Sequence, residues 1–389
     1  MQKEMRLNLE NVPKELKLIL ELIKAESKEE IERIDPEWFQ EIDWQQFIEL
    51  ALHHRLYPVL HGKAQMIDNQ LVPSSVRNRL AYEYKRNTFQ MLKLCGEMEQ
   101  VSQLFNKENI RLLFLKGPHL GHELYGDLSL RTSHDLDILV PPEDFDKAEK
   151  LLLEAGYEND NPLPTVLNSR RLREHHVKYF HQEKKMIVEI HWRLNPPPSE
   201  DPNFEELWKR KQFCSFSPHL LFMLGKEDLF MFLIKHGSRH GWFRLRWLLD
   251  IQRLKDERIS KEQLLPFLQR YKAKHLISQS MILYTELLNS KTSETIFTNK
   301  GYKLANKSIF FIESIIHLHR NPLPKEIASY HKKYLHLLKN PIQNIVIFFS
   351  RFYPAPIDVE TLPLPRKLSF LYFPLRPFLW SFRKVRNVS

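Results

Sequence analysis

Hydrophobic positions along this chain change their period twice. Up to residue 110 they recur at helical spacing. In PKELKLILELIKAE, Leu16, Leu18, Ile19, Leu20, Leu22 and Ile23 fall broadly on one stripe. The stretch from SSVRNRL to NKENI predicts one long amphipathic helix with Ser74 or Ser75 as its N-cap. From residue 111 short apolar runs take over. LLFL (112–115) reads as a buried strand ending at Lys116-Gly117, and Pro118 opens a helix well because its missing N–H costs nothing there. DLDILV is a second strand, bounded by Pro141 and Pro142, and the helix after it closes at Gly156. VKYFHQEKKMIVEIHW reads as a β-hairpin around Gln-Glu-Lys-Lys.

Beyond this unit NPPPSEDPNF is the clearest linker, and the helical period then returns, most plainly in KEDLFMFLIKHGSRHGWFRLRWLLDIQRL. The expected organisation is a helical region over 1–110, an α/β core with a small mixed sheet over 111–195, a helical domain over 204–320 and a proline-, aromatic- and base-rich segment over 321–389. Prolines in that last segment oppose a continuous helix, so packing on the body is preferred to docking on a membrane surface.

Composition changes little in this picture. Hydrophobic residues make up 42% of 389, which is globular, and the 10 glycines suit long helices. Two cysteines, Cys95 and Cys214, form no metal or disulfide pattern, and a reducing cytoplasm is the simplest expectation. No apolar run approaches the length of a membrane span. The formal charge of +10 favours an anionic partner, be it nucleotide, nucleic acid, acidic peptide or membrane surface, but it is spread without blocks, so a merely basic soluble surface accounts for it equally well.

Charge placement inside the strands carries the chemistry. Asp135 and Asp137 are two apart, so they share one face of their strand with Cα atoms about 6.5 Å apart. Like charges so placed repel unless something positive stands between them. Glu189 interrupts another apolar strand and shares a face with His191. Together Asp135, Asp137 and Glu189 can hold one or two Mg²⁺ or Mn²⁺ ions, since hard cations select oxygen ligands. Arg131 precedes the acid pair and can meet phosphate charge or form a salt bridge to Asp127 or Asp135. His134 adjoins Asp135. His236 and His240 are four apart, but Lys235 and Gly237 stand where a zinc helix would carry its Glu, so no zinc site is expected there. His236 and Asp250 are expected to face the cleft between helical and α/β parts or to hold the two together.

The order of strand, Lys-Gly, helix, D-x-D strand and hairpin with a central acid resembles the nucleotidyltransferase superfamily that includes DNA polymerase β. More closely, the chain resembles the uncharacterised nucleotidyltransferase family. The matching positions are Lys116-Gly117, Tyr125, Arg131, Asp135 to Val140, Gly156-Tyr157, Glu189 to Trp192, His236, and Arg246 to Asp250, across roughly residues 50–255. The resemblance implies metal-dependent transfer of a nucleotidyl group from ATP or another NTP to a small-molecule or peptide acceptor. Asp135, Asp137 and Glu189 would be catalytic metal ligands, with Glu189 also a base toward the acceptor. Lys116, Gly117, Arg131 and His134 would face the nucleotide, and Tyr125, His191, His236 and Asp250 would support the cleft. Some relatives lie near genes for ribosomally made peptides such as lasso peptides, so phosphoryl transfer to a peptide is the rival within enzymes. A non-catalytic nucleotide- or nucleic-acid-binding module is the rival outside them. One departure stands out: where the superfamily has Gly-Ser in its phosphate turn, this chain has Lys116-Gly117-Pro118, which lacks the hydroxyl and one N–H.

Overall fold

A computed structural model describes residues 6–160, 172–214, 220–258, 270–288, 297–318 and 322–386. Its centre is a seven-stranded mixed sheet: β1 (Leu113–Lys116), β2 (Asp135–Leu139), β3 (Tyr157–Asn159), β4 (His176–His181), β5 (Met186–His191), β6 (Gln212–Phe213) and β7 (Phe222–Met223). The spatial order is β3-β4-β5-β2-β1-β7-β6. Strands β4 and β5 form the expected hairpin. The short strands β3, β6 and β7 were not expected; two or three residues carry no readable period.

The period of two divides the sheet into an apolar face and a mixed one. Phe114, Leu136, Ile138, Val140, Val188 and Ile190 point to a core closed by the helices Ser74–Lys107 and Phe145–Glu154. The opposite face carries Leu113, Leu115 and Leu139 together with Asp135, Asp137, Glu189 and His191. Its apolar part joins a second core that runs without a break through the N-terminal helices and the helices Lys226–Arg239, Arg246–Arg258, Lys274–Leu288 and Asn299–Glu313. The two helical stretches that flank the sheet in sequence therefore share one core. The acids sit where that helical mass meets the sheet.

Three expectations need correction. Pro73 occupies the N-cap position of the long helix, and Ser74 is already its first residue. The proline-rich stretch after β5 is not a free linker. Asn195 is buried, its backbone and side-chain amides donate to Asp201 at 3.0 and 2.9 Å, and Lys235 pairs with Asp201 at 2.9 Å. Nor do prolines prevent a last helix: Tyr372–Arg386 carries Pro377 inside it. That end of the chain has its own small core around Tyr372 and Leu379, while Phe378, Trp380 and Phe382 remain exposed. Asp358, fully buried there, pairs with Arg376 and Arg383.

Candidate active site

Strand β2 lies in the middle of the sheet and pairs in parallel with β5, which sets Asp137 beside Glu189 and Leu139 beside His191. The cross-strand neighbours Asp137 and Glu189 project to the same face. One oxygen of each, together with a nitrogen of His191, lie within 4.8 Å of one another. Two carboxylate charges at that distance repel by about 3.5 kcal/mol at an effective dielectric near 20, so the pair needs positive charge close by.

Part of that charge is Lys116, and a bulge delivers it. Phe114 pairs with Ile138, but the register then shifts so that Lys116, not Leu115, stands opposite Asp137. Without the extra residue Lys116 would lie on the apolar face. With it, Lys116 Nζ is 3.2 Å from Asp137 Oδ2. Burial works to lower the Lys116 pKa, but Asp137, Asp135 and Glu189 outweigh it and hold the ammonium above its ordinary range. His191 Nε2 approaches Asp137 Oδ1 at 3.0 Å and Glu189 Oε2 at 3.7 Å. His176 Nε2 is 3.5 Å from the same Glu189 oxygen, and Lys178 Nζ is 4.0 Å from Oε1.

These neighbours split the carboxyls. Burial and the neighbouring acids push Asp137 up to about 6, against the pull of Lys116. Glu189 goes the other way: burial opposes its charge, but His191, His176 and Lys116 hold it far below the ordinary carboxylate range. Asp135 is also lowered, with Lys116 and Arg55 overcoming burial. It lies on the same face but outside the cluster of ligand atoms formed by Asp137, Glu189 and His191.

The donor set fits a divalent cation. Two carboxylates and an imidazole nitrogen suit Mn²⁺, and the oxygens suit Mg²⁺. Asp137 Oδ2 is fully buried and, although within ion-pair distance of Lys116, makes no hydrogen bond of good geometry. Such an atom is ready to accept a cation. A second grouping, His175, His176 and His191, shares His191 with the first.

The other expected residues are placed as follows. Gly117 has φ +147°, a conformation that L side chains rarely adopt, and it caps the helix Pro118–Tyr125. The first N–H groups of a helix lack intrahelical partners, so His119 and Leu120 present theirs at this turn. Arg131 is fully buried and does not pair with Asp127 or Asp135. It pairs with Asp250 at 3.1 Å and donates from Nη1 to the Gly117 carbonyl at 3.2 Å. Asp250, at 0% exposure, also accepts from Tyr125 at 2.8 Å and Arg246 at 3.2 Å. The matched positions Tyr125, Arg131, Arg246 and Asp250 thus form one buried network behind the Gly117 turn. His236 packs against Trp247 and His240, and burial, then Lys116, keeps it neutral. His134 is exposed beside Asp135.

Sequence reasoning missed Arg55, Arg244, His175 and His176. Arg55 and Arg244 both act on Asp135, and among the described residues neither has an acid within ion-pair distance. Burial lowers them to about 9 and about 10, so both stay charged at neutral pH. The His175-His176 pair at the start of β4 was the one signal available in the sequence.

No curated protein and no solved structure matches the chain. A family model described as uncharacterised nucleotidyltransferase matches residues 40–289, wider than the stretch the motifs suggested and more than half of the chain. With the acid strand, the lysine-glycine turn and the central hairpin acid inside that match, the chain belongs to this family of nucleotidyltransferases.

Proposed function

We propose that this enzyme is a metal-dependent transferase that moves a nucleotidyl group from an NTP, ATP in the first instance, to a small-molecule or peptide acceptor. The observation that carries the reading is the asymmetry around the acid cluster. On the Asp135 side stand Arg55 and Arg244, charged and without acid partners among the described residues, together with the Gly117 turn. On the Glu189 side stand His175 and His176. The first side suits a triphosphate, which needs fixed cations and backbone donors. The second is left for the acceptor.

Asp137, Glu189 and His191 would hold Mg²⁺ or Mn²⁺, with Asp135 joining from the nucleotide side. The ion, when bound, would supply charge stabilisation for the phosphate oxygens. Lys116 neutralises Asp137 and stands ready to meet phosphate charge from the rim of the same face. Arg131 fixes the Gly117 carbonyl and so positions the turn, without touching the nucleotide itself. Glu189, held anionic by its histidines, suits the role of cation ligand better than that of base. In the transfer, the acceptor oxygen bonds to the α-phosphorus as the bond to the bridging oxygen breaks and pyrophosphate leaves. The acceptor proton ends on the cluster or on water.

Transfer of the terminal phosphoryl group is the second reading, favoured by one observation: Lys116-Gly117-Pro118 offers fewer donors than a Gly-Ser turn for seating the whole triphosphate. Incubation of candidate acceptors with Mg²⁺ and either α-labelled or γ-labelled ATP separates the two. Label from the α position on the acceptor supports the proposal, label from the γ position supports the second reading, and no nucleotide binding at all would overturn both.

A further inference from the structure

The cavity beyond β4 and β5 has no part in the nucleotide contacts described so far. Its volume is about 560 Å³, within the range of small-molecule sites. Its walls grow out of the two strands that carry the histidines. Arg173 lies three residues before His176, and Asn195 four residues after His191, and both line it. Helices 226–239 and 341–350 supply further walls.

The lining is mostly apolar carbon with an excess of cations. Among its basic residues, Lys235, Lys272 and Arg376 are matched by Asp201, Glu200 and Asp358. Four others, Arg173, Arg239, Lys339 and Arg351, have no acid within ion-pair distance among the described residues. Arg239 is the link to the acid cluster. One of its guanidinium nitrogens, Nη1, is fully buried and has no hydrogen-bond partner. The cations on the nucleotide side act on Asp135, whereas Arg239 feels Asp201 most and, after it, Glu189 and Asp137.

We propose that this cavity is the acceptor subsite and that it takes an amphipathic anion, a molecule with an apolar body and a carboxylate or phosphate head. The proposal rests on the nucleotidyltransferase reading above and names the substrate class for the same site. An apolar lining recruits the body by the hydrophobic effect, and four unmatched cations fix the head. Arg239, with its buried unpartnered Nη1, would hold the head and leave the reacting group facing Glu189. A cationic or neutral acceptor would leave those charges uncompensated in a half-buried space.

The test uses octyl phosphate as probe, with octylammonium and inorganic phosphate as controls, titrated calorimetrically into the full chain. Octyl phosphate should bind at one site, octylammonium not measurably, and inorganic phosphate at least tenfold more weakly than octyl phosphate. The Lys339→Gln/Arg351→Gln double variant should weaken octyl phosphate tenfold or more and leave binding of an NTP with Mg²⁺ unchanged. Equal affinity for octyl phosphate in variant and parent, or equal binding of octylammonium, overturns the proposal. If the double variant melts early, Arg351→Gln alone, at an exposed position, should still weaken the probe at least threefold, and an unchanged affinity again overturns it. Failure of the enzyme reading shows separately, as absent NTP binding in the parent protein.

Discussion

Lys116 Nζ stands 3.2 Å from Asp137 Oδ2, so the lysine of the turn is already paired with an acid of the candidate metal site. Asp137 is almost wholly buried, at 1% exposure, and removing its cation leaves a carboxylate with like charges around it. Lys116→Ala should therefore weaken nucleotide binding by about tenfold and also cost roughly 1–3 kcal/mol of stability in metal-free protein at neutral pH. Adding Mn²⁺ should return part of that loss, because a bound cation takes the place of the ammonium. Thermal melts of parent and variant with and without Mn²⁺ check this, and a variant that melts like the parent in both conditions counts against it.

Asp137 should set the pH dependence of metal binding. Its pKa is raised from 3.8 to about 6 by burial and neighbouring acids. In metal-free protein the sign follows from that rise. The folded state favours the protonated carboxyl, so this contribution is fully present below about 3.8 and is lost as pH rises through about 6. Metal binding runs in the opposite sense, since the cation needs the ionised form. Mn²⁺ affinity should climb as pH rises through about 6, with proton release on binding at the lower end. Asp137→Asn should abolish that climb and weaken Mn²⁺ at least tenfold, yet cost under about 1 kcal/mol in stability, because losing Lys116's attraction and losing the repulsion by Asp135 and Glu189 oppose each other. Calorimetry across pH in two buffers of different ionisation enthalpy measures both effects.

Much of this site could be read from the chain, and what could not has physical causes. The period of two placed Asp135 with Asp137 and Glu189 with His191 on common faces, and the sheet keeps both relations. The parallel β2–β5 register that brings Asp137 to Glu189 depends on pairing at long sequence separation, which no local pattern encodes. The bulge at Leu115 was equally hidden, although it alone puts Lys116 on the acid face. Arg131 looked like a phosphate contact because it sits beside the acids in sequence, but its partner Asp250 is 119 residues away. Arg55 and Arg244 were passed over for the mirror reason: they lie far from the motif in sequence and near it only through the fold.

The Asp250 network should be a stability device that also positions the turn. Asp250 is fully buried and accepts from Tyr125, Arg131 and Arg246. Asp250→Asn would keep the shape but leave two arginines facing each other without their counter-charge. We expect a loss of about 3 kcal/mol or more in urea unfolding. Arg131→Lys should do similar damage, since a lysine cannot bond Asp250 with two nitrogens and reach the Gly117 carbonyl as well. If either variant unfolds like the parent protein, the network is not holding the turn.

Two glycines in helices should respond to alanine with opposite signs. Gly96 lies on the exposed side of the long helix Ser74–Lys107, and a Cβ built there meets nothing within 4 Å. Alanine removes backbone freedom from the unfolded chain at no steric cost, so Gly96→Ala should stabilise by about 0.5–1 kcal/mol. Gly121 sits in the helix Pro118–Tyr125 that Gly117 caps, and its Cβ would lie 2.8 Å from both the Cα and the carbonyl oxygen of Leu128. Those are backbone atoms, which cannot swing aside as a side chain can, so the helix itself must move. The same gain in propensity applies, but overpacking of this kind costs about 1–3 kcal/mol and should win. The displaced helix begins at the Gly117 turn, which is proposed to face the nucleotide, so Gly121→Ala should also weaken nucleotide binding, whereas Gly96→Ala should not. Urea unfolding and nucleotide titration on the two variants give the comparison. A Gly121→Ala protein as stable as the parent would mean that the helix and the Leu128 turn are not packed as closely as described.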